Sequence, residues 1–126
     1  MKTIALQYFL VGATGAVGAM LRLLVASVCG RWFGTALPVG TFVVNVSGSL
    51  MLGWFLALAG ERGMSETTRL AVAVGFVGAY TTFSTFVYES STLMHAGLGW
   101  RAMVNVVASV VVGLVAVRVG IWLGRG

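Results

Sequence analysis

The sequence holds no aspartate and only three glutamates, Glu61, Glu66 and Glu89, in 126 residues, and histidine, cysteine and proline occur once each as His95, Cys29 and Pro38. Each scarcity removes a class of function. A single cysteine allows no intramolecular disulfide, no CxxC redox site and no cysteine zinc site. His95 lies in a connecting stretch beside Gly97, and the three acids sit at the edges of apolar segments. No nucleophile, base and orienting group can be assembled from that inventory, so the chain does not read as an enzyme. Charge is scarce altogether, at 9% of residues. The net charge of +5 comes from Lys2, Arg22, Arg31, Arg62, Arg69, Arg101, Arg118 and Arg125, which are scattered along the chain. They form no basic stripe or tail, so nucleic acid is not the implied partner.

What fills the chain instead is apolar: 59% hydrophobic residues with 18 glycines. That composition belongs in a lipid bilayer. Four segments, 4–29, 39–59, 70–88 and 102–123, are each long enough to cross the hydrocarbon core as a helix, which takes about 20 residues. Short connections join them, so residues 1–126 read as one all-α, multi-pass domain without a linker. The first segment resembles a secretory signal at Met1, Lys2 and ATGAVGA, but it stays apolar through Leu21 and beyond, longer than a signal's apolar region. Gly12, Gly15, Gly18 and Ala19 give it a small-residue face suited to close helix packing.

Orientation is weakly encoded. Four spans put both termini on one side with Lys2, Arg62, Arg69 and Arg125, and Arg118 lies near it, whereas Arg31, Arg101 and Arg22 belong to the other. The positive-inside rule mildly favours cytoplasmic termini, and a bias this small also admits insertion in both senses.

Polar residues inside the spans carry the functional signal. In the second span Thr41, Asn45, Ser49 and Gly53 fall four apart, and in the fourth Asn105, Ser109 and Gly113 do the same. An amide in hydrocarbon must pair or face a wet path, so the stripes are either interhelical clamps or a pathway. Two stripes on separate helices favour the pathway, and amide N–H groups are the donors an unhydrated anion needs. The third span centres near Ala79, within GFVGAYTTFSTF. Glycines followed by Thr81 and Thr82 weaken a helix there, and non-helical backbone at that depth is tolerated only when buried in protein or lining a cavity. A break would expose carbonyls and half-helix ends able to hold ions, with Ser84 and Thr85 adding hydroxyls. The bland reading is that these hydroxyls bond back to their own helix. Phe83 and Phe86, three apart, share a helix face; a phenyl edge is positive and can touch a small anion.

Four glycine-rich helices of this size leave no central pore, so the pathway calls for a second chain. Copies inserted in opposite senses would bring two third-span breaks together at the midplane, pooling carbonyls around one cation.

The motifs GATGAVGAMLR, GTFVVNVSGS and GFVGAYTTFSTF followed by Glu89 resemble the small bacterial fluoride channels of the CrcB, or Fluc, family, over essentially the whole chain. The resemblance implies four transmembrane helices with a break in the third, an antiparallel dual-topology homodimer in the bacterial inner membrane, and passive export of fluoride through two pores, conferring fluoride resistance. It implies Asn45 as the pore amide, Phe83 and Phe86 as the paired pore rings, and Gly78 and Thr81 as backbone-carbonyl ligands of a structural sodium. Thr41, Asn105 and Ser109 would fall on polar tracks flanking the pore, and Thr85 would line it as well. Ala79 stands where many members carry a second glycine, and Gly113 where some carry a serine. Arg22, closing the first motif, would serve as vestibule charge or helix-end anchor. Two other classes remain: a small multidrug-type proton-coupled transporter, which needs an embedded carboxylate that the first span lacks, and a noncatalytic packing subunit.

Overall fold

A computed structural model describes all 126 residues, and every regular element in it is helical. Helix α1 covers Lys2–Phe33 and α2 covers Val39–Glu61. The third span is in two pieces, α3 (66–80) and α4 (Phe83–His95), and α5 covers Gly99–Gly124. The helices that carry the four spans are long and apolar enough to cross a membrane. They extend past the expected segments at their ends, because charged residues such as Lys2, Arg31 and Glu61 close the helices rather than lie outside them.

Local chemistry sets the boundaries. Gly34, Gly63 and Gly97 take positive φ of 76°, 59° and 75°, the left-handed backbone that glycine alone adopts without steric cost, and each lies in the connection that follows a helix. Pro38 stands immediately before α2, where its missing N–H costs no helical bond. Ser65 caps α3 by accepting the Thr68 N–H at 3.2 Å.

Little of the chain forms a conventional core. Val44 is fully buried, while Phe9, Leu23 and Leu114 stay 60–70% exposed, as side chains that meet lipid would be. Backbone-to-backbone approach does the packing instead. A Cβ on Gly53, Gly120 or Gly124 would strike the carbonyls of Val117, Leu50 or Trp54, so α2 and α5 touch main chain to main chain. Where lipid competes for every apolar contact, small residues gain most from that closeness. Gly15 and Gly18 of α1 pack in the same way on Gly75 and Phe76 of α3. Gly12 does not share this face, since a Cβ there would meet nothing within 4 Å.

The third span departs twice from an α-helix. Residues Leu70–Val77 are wound as a π-helix, and after one further turn the chain opens at Thr81 (φ −79°, ψ 160°) and Thr82 (φ −150°, ψ 115°). The expected break therefore exists, two residues beyond Ala79.

Candidate functional site

The break is held from α2. Asn45 Nδ2 donates to the Thr82 carbonyl at 3.0 Å, and the Thr82 N–H donates to Asn45 Oδ1 at 2.8 Å. This exchange explains why the helix stops where it does. In a continuous helix the Thr82 N–H would serve the Gly78 carbonyl; here it serves Asn45, and Gly78 loses its helical partner. The Thr81 hydroxyl and N–H both donate to Val77, at 3.1 and 3.0 Å, which closes the upstream piece. One residue upstream, the Tyr80 hydroxyl meets Ser47 Oγ at 2.9 Å, and its ring stacks on Phe76. Helix α2 thus grips both lips of the opening.

Thr82 also starts α4. Its hydroxyl accepts the Thr85 N–H at 3.3 Å and donates to Thr85 Oγ1 at 2.9 Å, a hydroxyl N-cap. The Phe83 and Ser84 N–H groups open that helix without intrahelical acceptors, at the end where the helix dipole is positive. The stub ending at Tyr80 presents its carbonyl, negative end to the same gap. One break offers amide donors and carbonyl acceptors side by side, so it can attract an anion on one lip and a cation on the other.

Three separate cavities share lining residues around this point. An open-sided cavity of about 260 Å³ is bordered by Asn45, Ser49, Gly78, Thr81 and Phe83. A second, of about 390 Å³, is bordered by Arg22, Thr41 and Thr85, and Thr82 borders both. Thr41 continues the line into a third cavity that reaches Glu89 and the loop before Pro38. Phe83 is 78% exposed in the single chain, its ring 6.1 Å from that of Phe86 at 48°. Gly78 is open as well, and a Cβ there would meet only the Ala73 carbonyl. The face carrying Gly78 and Phe83 has no neighbour within the chain.

Of the residues singled out by sequence, Asn45, Gly78, Thr81 and Phe83 converge on one cavity, and Thr41 and Thr85 on the next. Asn105 and Ser109 border neither. Asn105 Nδ2 donates to Ser90 Oγ at 3.0 Å, tying α5 to α4, and the Ser109 hydroxyl is buried without a partner. One carboxylate oxygen of Glu89 is likewise buried and unpartnered. Arg22 reaches further than a helix-end anchor would, with Nη1 3.4 Å from the Thr81 carbonyl. Sequence reasoning passed over Tyr80, Ser47 and Thr14; a tyrosine beside the break, and a threonine set among the glycines of α1, were the signals available.

For a bound cation, the oxygens on offer are neutral. No group of three His, Cys, Asp or Glu side chains gathers anywhere in the chain, and the Gly78 carbonyl stands free of its helical donor. Backbone oxygens of this kind suit a hard cation.

The site defines a four-helix bundle of membrane-spanning length whose third helix opens in mid-span, clamped by an amide from the second and bordered by cavities. Comparison with known proteins places it more closely. The model of the CrcB-like protein, Camphor Resistance (CrcB) family matches residues 9–121, and the chain belongs to that family. It is 45% identical over 111 residues to a fluoride-specific ion channel FluC of Chloroflexus aurantiacus, covering 87% of this chain and 88% of the relative. It is 38% identical over 120 residues to the FluC of Maridesulfovibrio salexigens, at 94% and 95% coverage. The FluC of Hydrogenovibrio crunogenus is 41% identical over 121 residues, at 95% and 92%.

Proposed function

We propose that the chain is a passive fluoride channel, working as an antiparallel homodimer in the bacterial inner membrane. The observation that carries the reading is the clamped break of Asn45 and Thr82, in a chain whose full-length relatives bear the name fluoride-specific channel. Asn45 spends one amide hydrogen and its oxygen on Thr82, which leaves one N–H for an ion in the adjoining cavity. The first-turn N–H groups of α4 and the edges of Phe83 and Phe86 add partial positive charge without a fixed cation. Such a site suits a small anion that must leave as readily as it enters. Thr41 and Thr85, followed by Arg22, extend the donors along the neighbouring cavity. Asn105 and Ser109 stand outside these cavities on α5, where Asn105 braces α4 through Ser90.

The uncovered face of Gly78 and Phe83 supports a partner of the same chain, inserted in the opposite sense. Two breaks would then face each other, and the Gly78 and Thr81 carbonyls of both copies would hold a sodium ion that fixes the interface. Its chemistry there is structural: it neutralises converging carbonyl dipoles. Fluoride efflux from liposomes containing the purified chain, with chloride as comparator and no proton gradient, tests the reading. Fast loss of fluoride with retention of chloride is expected. Equal fluxes, or a requirement for a proton gradient, would overturn it.

A further inference from the structure

The π-helical segment Leu70–Val77 stands directly upstream of the break, and its sequence, LAVAVGFV, supplies no reason for it. Bonds from i to i+5 are wider and poorer than α-helical ones, and they mostly appear as single turns at functional sites. Something outside the segment holds it.

The contact that does so comes from α1. Thr14 Oγ1 lies 2.6 Å from the Ala71 carbonyl, inside the π segment. It also lies 2.8 Å from the Leu10 carbonyl of its own helix and 3.4 Å from that of Val11. A hydroxyl has one proton to give, and the shortest approach is the one across the helices. The geometry of Gly75 fits this choice: a Cβ there would collide with Thr14 Oγ1, so the missing side chain is the notch in which the hydroxyl sits. One turn along α1, Gly18 lies against the Phe76 carbonyl, which keeps the two backbones at that distance.

The winding matters because it sets where the break points. Returning the segment to α-helix would turn everything after it by roughly 100° for each residue redistributed. Gly78 would then leave the open face, and Thr82 would leave Asn45.

We propose that Thr14 is a positioning residue for the ion pathway: by bonding the Ala71 carbonyl it holds the π-turns whose register aims Gly78, Thr81 and Thr82. This rests on the reading of the break as the pathway. Thr14 touches no ion and acts only through the third helix.

The test pairs two readouts on the purified dimer, hydrogen–deuterium exchange of peptides covering residues 76–86 and fluoride efflux from liposomes. Thr14→Val keeps the shape and removes the proton; it should speed exchange around 78–82 and slow efflux by roughly tenfold or more, as misplacing a positioned group does. Thr14→Ser should behave as wild type in both. Thr67→Ala is the control, since it breaks the Gln7–Thr67 contact of 3.3 Å between the same two helices, ahead of the π segment. It should change neither readout. If Thr14→Val does not assemble, Thr14→Ala carries the same comparison. Wild-type exchange in the hydroxyl-free variant, or equal effects from Thr67→Ala, would overturn the proposal. A wild-type chain that passes no fluoride would overturn the channel reading alone, and the exchange result would still decide the role of Thr14.

Discussion

Asn45 and Thr82 exchange two hydrogen bonds, side chain to backbone in both directions, at 3.0 and 2.8 Å. An amide paired in this way is a structural clamp, and the proposed second role of Asn45, as a donor to the cavity it borders, separates from the first by mutation. Asn45→Asp keeps an acceptor for the Thr82 N–H but loses the donor to its carbonyl, and it sets a negative charge beside the cavity. Leaving that carbonyl unpaired costs about 1–3 kcal/mol. Repulsion of the anion adds to the loss at low dielectric. Fluoride efflux in liposomes should therefore fall to background. Asn45→Gln, with the same groups on a longer arm, should lose less; flux at the wild-type level in Asn45→Asp would remove the amide from the pathway.

Phe83 and Phe86 differ in setting, the first 78% exposed at the edge of the Asn45 cavity and the second half-buried. If ring edges stabilise the anion, Phe83→Ile and Phe86→Ile should each reduce fluoride efflux strongly while size-exclusion elution of the dimer stays unchanged. Isoleucine roughly keeps the apolar volume, and volume-conserving swaps usually cost under about 1.5 kcal/mol. The electrostatic loss is then read apart from folding. Folded variants with wild-type flux would make both rings packing groups.

The parts of this architecture that announce themselves in sequence are those where a polar residue or a glycine interrupts apolar sequence. Asn45 and the run Thr81, Thr82, Ser84 and Thr85 are such interruptions, which is why the clamp residue and the broken helix could be anticipated. The break itself falls at Thr81–Thr82 rather than Ala79 because its place depends on which N–H Asn45 captures, a tertiary fact. The π-helix left no trace. Every residue of LAVAVGFV is apolar or glycine, so no periodicity distinguishes one winding from another. Asn105 carried the same four-residue spacing as Asn45 and yet bonds Ser90, since the spacing fixes a face but not the helix that the face meets.

Gly78 offers a test of the second copy. Within the chain a side chain at this position has room, its Cβ meeting only the Ala73 carbonyl at 3.4 Å. Gly78→Leu should therefore leave helix content unchanged and abolish the dimer, seen as a shift to monomer on size exclusion and loss of efflux. Dimeric elution and normal flux would show that no partner backbone approaches this face. Tags at the C-terminus should in parallel report both sides of the membrane in one cell population, as antiparallel copies require; one-sided labelling would exclude the antiparallel dimer.

The sharpest packing relationship at the break lies between Gly48 and Thr81. A Cβ on Gly48 would collide with Thr81 Cγ2 and come within 3.3 Å of the Tyr80 ring. Gly48→Ala should thus push the upstream lip of the break away from α2, with a cost in the range of about 1–3 kcal/mol typical of overpacking, and should lower both thermal stability and fluoride efflux. Thr81→Ser should be tolerated by itself, because serine keeps the hydroxyl that bonds the Val77 carbonyl and deletes only the methyl. Combining the two removes the colliding atom and leaves the Tyr80 contact, which a small movement of the ring relieves. The double variant should accordingly recover most of the stability and flux that Gly48→Ala loses, giving a coupling of about 0.5–3 kcal/mol in a double-mutant cycle. Additive losses would mean that the Thr81 methyl does not lie against Gly48, and the clamped geometry of the break would need a different support.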